Sequence, residues 1–288
     1  MENILEIKNL RKEYDGFLLN DISFALKKGY VMGFIGPNGA GKTTTIKLIM
    51  NLIKRDKGEI SICGCDNLKQ EQEMKEQIGF VYDENHFYEE LTVTEMKRVI
   101  VPFYQHWDEG TYQRYLKIFE LPAHKKIKTL SKGMKMKFSL ALALSHQARF
   151  LIMDEPTSGL DPVFRNELLD ILREYMASEE RGVLFSSHVT SDLDKIADYV
   201  TLIDNGEILL CCSKEELLGQ YGLIKGEKRL LNDDLRRELI GVQENSFGFT
   251  ALTSDVTGIS GRYCDSLLIE RPTLEDIMLY MIRRDKLA

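Results

Sequence analysis

Residues 36–43 read Gly-Pro-Asn-Gly-Ala-Gly-Lys-Thr, which satisfies the phosphate-binding pattern G-x-x-x-x-G-K-[ST]. A triphosphate has to be wrapped by backbone N–H groups, so side chains must stay clear of it. Glycine at 36, 39 and 41 permits that approach and the unusual backbone angles it requires. Lys42 supplies a full positive charge for the β- and γ-phosphates, and Thr43 offers a hydroxyl to Mg²⁺. The expected nucleotide-binding set is Gly36, Asn38, Gly39, Ala40, Gly41, Lys42, Thr43 and Thr44.

A second constellation lies far along the chain. Phe150-Leu-Ile-Met153 is a continuous apolar run that ends in two adjacent carboxylates, Asp154 and Glu155. Beside a phosphate loop, the first carboxylate of such a pair holds Mg²⁺ through water. The second projects past it and can poise a water against the γ-phosphate. Thr43 and Asp154 are therefore expected at a metal, and Lys42 and Glu155 at the reacting phosphate.

These groups need a scaffold that brings loop and carboxylates together. Tyr30 to Ile35 reads as a buried strand entering the loop, and Thr44 to Ile53 as a helix leaving it, with Ile46, Ile49, Met50 and Ile53 at helical spacing. That helix presents unpaired N–H groups and the positive end of its dipole to the phosphates. Ile4 to Asn9, Phe17 to Leu26, Gly58 to Gly64 and Ile78 to Tyr82 read as further strands. Leu91 to Leu121 turns helical, with Pro102 set to kink or end the helix. Ser131 is placed to cap a helix through Phe138 and Leu142, and Asp161-Pro162 to open one from Arg165 to Met176. Gly182 to Ser187 reads as a buried strand. Tyr199 to Ile203 and Gly206 to Leu210 read as a hairpin around Asn205-Gly206. The alternation from 29 to 187 implies a mostly parallel sheet with helices on its faces, interrupted by a helical block over about 84–148. Composition shifts near Ser213, and residues 213–288 read as a small α/β appendage ending in a helix from Thr273.

The chain of 288 residues is long enough for one large or two modest domains. Its net charge of −7 argues against nucleic-acid binding driven by global charge. No apolar run approaches the ~18 residues of a membrane span, and Met1 to Glu6 lacks the character of a signal peptide. Cys63, Cys65, Cys211, Cys212 and Cys264 are odd in number and form no C-x-x-C, so reduced thiols are expected.

Taken together, the motifs resemble those of ATP-binding cassette (ABC) ATPases over roughly residues 2 to 212. Asp154-Glu-Pro-Thr-Ser-Gly-Leu-Asp-Pro162 looks like the family's Walker B motif and D-loop, His188 matches its switch histidine, and Leu130-Ser-Lys-Gly-Met134 stands in place of its LSGGQ signature. Tyr14 fits the aromatic residue that stacks on adenine. The resemblance implies a P-loop NTPase core over 1–212, with 213–288 as an accessory domain. It also implies that ATP and Mg²⁺ are bound and ATP hydrolysed. Glu155 would polarise water and His188 hold the arrangement at the γ-phosphate. Ser131 and Gly133 would serve the nucleotide bound to a second copy, or to a paralogous subunit, in a head-to-tail sandwich. The implied partner is an integral membrane permease, with no nucleic acid, which sets the chain in the cytoplasm on the inner face of the cell membrane. Gram-positive exporters with separate membrane subunits look most similar. A soluble ABC ATPase, or a regulatory or immunity module that binds ATP, is the alternative.

The family's pattern is broken in two places. Lys132 and Met134 replace glycine and glutamine in the signature, while Ser131 and Gly133 are kept. Asp83 stands where a glutamine normally contacts Mg²⁺, with Glu84 next in line if the loop shifts by one residue. An aspartate there is shorter and charged, and adds negative charge beside Asp154, which disfavours metal-free ATP binding.

Overall fold

The computed structural model describes residues 2–83, 86–263 and 266–284; Glu84 and Cys264 lie outside them. The chain opens with a long antiparallel hairpin, β1 (Asn3–Tyr14) and β2 (Phe17–Lys27), then crosses in β3 (Val31–Ile35) to the phosphate loop and α1 (Lys42–Ile49). It returns through β4 (Lys57–Ile62) and β5 (Cys65–Asp66) to α2 (Glu71–Glu76) and β6 (Ile78–Val81). The run from Gly58 to Gly64 does not join the parallel sheet that the alternation implied. β4 pairs antiparallel with β1, giving a separate sheet of order β2-β1-β4-β5. A hairpin-like return from α1 sets β4 against the β1 edge and leaves the edge of β3 free for parallel partners.

A helical block follows, α3 (Val93–Ile100), α4 (Glu109–Ile118) and α5 (Lys132–Leu144). Thr92 and Glu95 form a capping box on α3. α3 ends at Ile100 and passes into a single 3₁₀ turn that holds Pro102, as the missing proline N–H requires. Ser131 caps α5 by accepting from the Met134 N–H at 3.2 Å. The chain then alternates through β7 (Phe150–Asp154), α6 (Pro162–Tyr175), β8 (Gly182–Ser187), α7 (Thr190–Ile196) and β9 (Tyr199–Asp204). β10 (Glu207–Ser213) turns back on β9 through Asn205, whose φ of 45° suits the Asn-Gly turn.

The central sheet runs β10-β9-β3-β8-β7-β6 and is parallel throughout except for β10. Its central strands β3, β8 and β7 are buried on both faces, as a covered parallel sheet demands. In β3, Val31 and Ile35 join the core under the helices, while Met32 and Phe34 join the core under α1 and the antiparallel sheet. Leu151 and Met153 against Phe150 and Ile152 repeat the division in β7.

Beyond Ser213 come α8 (Lys214–Gln220), β11 (Gly222–Gly226), α9 (Asp233–Glu238), β12 (Ile240–Glu244), β13 (Phe249–Thr253), α10 (Val256–Arg262), β14 (Leu268–Glu270) and α11 (Leu274–Arg284). The strands make an antiparallel sheet of order β12-β13-β11-β14. One face of it covers a small core of Ile224, Phe249, Ala251 and Ile259. From its other side, Leu223, Leu252 and the α11 residues Leu274, Ile277 and Tyr280 merge into the core under the main helices. Among the described residues, no helix is long and apolar enough to cross a membrane.

Candidate functional site

The site forms at the carboxyl ends of β3, β7 and β8, where an open parallel sheet leaves a crevice. Gly36 is required by packing. A Cβ there would lie 2.2 Å from the Ile203 carbonyl oxygen in β9. Gly41 is required by conformation, since its φ of 114° is in the region that side chains avoid. Lys42 follows as the first residue of α1 and is 6% exposed. Its Nζ donates to the carbonyls of Gly36 at 2.7 Å and Pro37 at 3.1 Å, and stands 3.5 Å from Glu155 Oε1. Burial pushes its pKa down, and the Glu155 carboxylate pulls it back up.

β7 delivers the carboxylates. Asp154, its last residue, is buried, and Thr43 Oγ1 donates to Asp154 Oδ2 at 2.9 Å. Burial raises the Asp154 pKa, and the Thr43 hydroxyl partly offsets this. Asp154 Oδ1 is buried without a hydrogen-bond partner among the described residues. A buried carboxylate oxygen left over beside a threonine hydroxyl fits a hard cation. The protein donors are too few to enclose one, and no cluster of three or more metal-ligating side chains occurs among the described residues. Mg²⁺ suits such a set, because it keeps waters and takes further oxygens from substrate phosphates.

Glu155 turns out of the strand with a left-handed φ of 49°, its N–H donating to the Ser186 carbonyl at 3.0 Å. That conformation directs the carboxyl group back over the loop. Glu155 Oε2 lies 2.7 Å from His188 Nδ1 and accepts from the His188 N–H at 3.3 Å. His188 follows the end of β8, with its side chain 41% exposed. Pro37, Asn38, Gly39, Gly41, Lys42, Thr43, Thr44, Asp83, Glu155 and Phe17 line one cleft of about 290 Å³.

The structure thus brings the loop, Asp83, Asp154, Glu155 and His188 together. It sets three other positions apart. Tyr14 ends β1, 43% exposed, with Lys12 Nζ 5.2 Å from its ring centroid. Ser131 and Gly133 begin α5 outside the residues lining this cleft, with the Ser131 hydroxyl engaged in its cap. Phe17, at the cleft edge, was not read from the sequence. Its signal was available three residues after Tyr14, as an aromatic opening the second strand of the hairpin. The tie between Asp83 and Lys132, 2.6 Å from Oδ1 to Nζ, was not read either, because 49 residues separate them.

A phosphate loop between a central parallel strand and a helix, facing two carboxylates at the end of β7 one strand beyond β8, defines a P-loop nucleotide-binding protein. The ABC transporter family profile matches residues 19–158. Relatives include the uncharacterized ABC transporter ATP-binding protein YhcH of Bacillus subtilis, 34% identical, with 73% of this chain and 70% of the relative aligned. The linearmycin resistance ATP-binding protein LnrL of Bacillus subtilis is also 34% identical, over 76% and 72% of the two chains. The bacitracin transport ATP-binding protein BcrA of Bacillus licheniformis is 32% identical, over 73% and 69%. The fold superposes on the solved ATP-binding subunit of an ABC transporter with a TM-score of 0.69 at 30% identity, covering 75% of this chain and 92% of that one. A dimeric ATP-binding cassette solved in a post-hydrolysis state has the same fold, at a TM-score of 0.64 and 22% identity, with 73% and 98% covered. The chain belongs to the ABC transporter ATP-binding family.

Proposed function

We propose that this chain binds Mg·ATP in the cleft beside Gly36–Thr43 and hydrolyses it to drive a separate membrane permease, moving cargo outward. The observation that carries the reading is the arrangement of Lys42, Glu155 and His188 around one small volume, with Thr43 and Asp154 joined at its floor. Lys42 and the loop N–H groups hold the phosphates of ATP, and Tyr14, with Phe17 at the cleft edge, supplies an aromatic face for the base. Thr43, Asp154 and Asp83 are the residues that would hold Mg²⁺, which would supply positive charge against the phosphates. Glu155 accepts the proton of the attacking water, and His188 keeps that carboxylate aimed. Phosphoryl transfer asks little more of a protein than positioning and electrostatic support.

Ser131 and Gly133 stand at the start of α5 and do not line their own chain's cleft, and a helix N-terminus of this kind would suit a γ-phosphate held by another copy or by a paralogous subunit. Two chains closing head to tail over two nucleotides would complete both sites. Residues 1–212 form the motor and 213–288 an accessory domain, on the inner face of the cell membrane. Similarity to proteins named for bacitracin transport and linearmycin resistance supports export.

Light scattering of Glu155→Gln with Mg·ATP tests the sandwich. The expected mass is twice the 33.2 kDa of one chain. A variant that binds ATP yet stays at the mass of one chain would overturn the two-copy site. Co-purification with a multi-spanning membrane protein tests the coupling.

A further inference from the structure

The two departures from the family pattern meet each other. Asp83 follows β6 of the central sheet, and Lys132 is the first residue of α5 in the helical block. Lys132 Nζ donates to Asp83 Oδ1 at 2.6 Å. Asp83 also lines the phosphate cleft, beside Lys42, Thr43 and Glu155.

The charges around that cleft explain why such a pair would arise. Three carboxylates, Asp83, Asp154 and Glu155, stand at its walls and floor, and Lys42 is already committed to two loop carbonyls and to Glu155. An incoming triphosphate meets more negative than positive charge, and like charges at these separations repel strongly where water is partly excluded. Lys132 supplies the missing cation. The pair contributes little to folding, because its side chains are 49% and 36% exposed and exposed ion pairs are weak. Its effect on a ligand is larger, because one uncompensated carboxylate acts on several phosphate charges at once.

We propose that Lys132 is the counter-ion of Asp83 within the same chain. It cancels the extra carboxylate at the mouth of its own cleft while no divalent cation is bound. It gives way when a cation engages that carboxylate. This rests on the reading of the cleft as an ATP site. It makes Lys132 a positioning residue for its own chain's nucleotide, not a ligand of the nucleotide held by a second copy.

The test is a titration of the full chain with a fluorescent ATP analogue, once in EDTA and once in excess Mg²⁺. In EDTA, Lys132→Gln should weaken binding about 5-fold or more, and Asp83→Asn should tighten it about 3-fold. The double variant should bind like Asp83→Asn, because Lys132 then has no charge to cancel. In Mg²⁺ the Lys132→Gln effect should shrink to within about 2-fold. Lys132→Met should repeat the Lys132→Gln result, and melting curves of all variants should match the parent chain. Unchanged binding by Lys132→Gln in EDTA would overturn the assignment, as would strict additivity of the two substitutions. So would a Lys132→Gln defect seen only when two copies of Glu155→Gln close over Mg·ATP, which would place Lys132 on the second copy's nucleotide. Failure of the parent chain to bind the analogue in either buffer would be a separate result, overturning the ATP reading and this pairing with it.

Discussion

Glu155 Oε2 stands 2.7 Å from His188 Nδ1 and also accepts from the His188 backbone N–H. One oxygen of the carboxylate is thereby tied to the end of β8, while the other lies 3.5 Å from Lys42 Nζ. The group is fixed from two sides before any substrate arrives. Glu155→Gln keeps the size of the side chain and removes its capacity as a base. ATP binding should be retained, and phosphate release at saturating ATP should fall about 100-fold or more. His188→Ala should lower the same rate while leaving affinity within about 3-fold, because the histidine acts through the carboxylate. Hydrolysis by Glu155→Gln at the parent rate would remove Glu155 from the role of base.

His146 provides a pH-dependent readout outside the cleft. It is 2% exposed, its ring stacks on Tyr104 at 3.8 Å, and neither ring nitrogen has a hydrogen-bond partner among the described residues. Burial lowers its pKa from 6.5 to about 4. The folded chain therefore holds the neutral ring, while the unfolded chain takes up a proton below about pH 6.5. Stability from this residue is fully present above pH 6.5 and is lost as pH falls towards 4. The total is roughly 3 kcal/mol from the size of the shift. Urea unfolding between pH 4 and pH 7 should show that slope, and His146→Phe should flatten it. An unchanged slope in His146→Phe would assign the acid sensitivity elsewhere.

The phosphate loop and the carboxylate pair were legible because their chemistry is local. A glycine-rich loop, a lysine and an apolar strand ending in Asp154-Glu155 each declare themselves within ten residues of chain. The strands of the parallel sheet were legible for a related reason, since burial on both faces leaves continuous apolar runs such as Phe150–Met153. Not every short element was. α7 and α10 are 7 residues each, too short for a helical period to stand out from loop sequence. β11 and β12 hold only 5 residues each and carry glycine at positions 222, 226 and 241. The Asp83–Lys132 contact depends on where β6 ends and α5 begins in space, which neither local sequence encodes.

Helix α11 is bound to the rest of the chain by shared core. Ile277 of α11 is fully buried in the same cluster as Leu193 of α7, and α7 begins two residues after His188. Truncating Ile277 to alanine should cost about 2–4 kcal/mol through lost contacts and a residual cavity. Because the cluster is continuous with the core under the main sheet, urea should unfold the chain in one transition, and the variant's whole transition should move. Two separated transitions, with only the second shifted by Ile277→Ala, would show that the C-terminal sheet folds as an independent unit.

Arg165 and Asp192 connect the two helices that leave the site. Arg165 lies in the first turn of α6, just after the Asp161 cap, and Asp192 in the first turn of α7, just after His188. Arg165 Nε faces Asp192 Oδ2 at 3.6 Å, too far for a hydrogen bond, and Asp192 is 1% exposed. A buried carboxylate with this partner depends on the guanidinium charge. Removing that charge leaves a buried carboxylate uncompensated, at a cost of roughly 3 kcal/mol. Arg165→Met should therefore be clearly destabilised in urea, whereas Arg165→Met combined with Asp192→Leu should recover most of the loss, since neither residue then carries a buried charge. The activity readout separates packing from positioning. With α7 no longer held to α6, His188 should present Glu155 less uniformly. The maximal rate of hydrolysis should then fall several-fold in the double variant, with stability restored and affinity for ATP unchanged. Full activity in a stable double variant would confine the pair to a structural role.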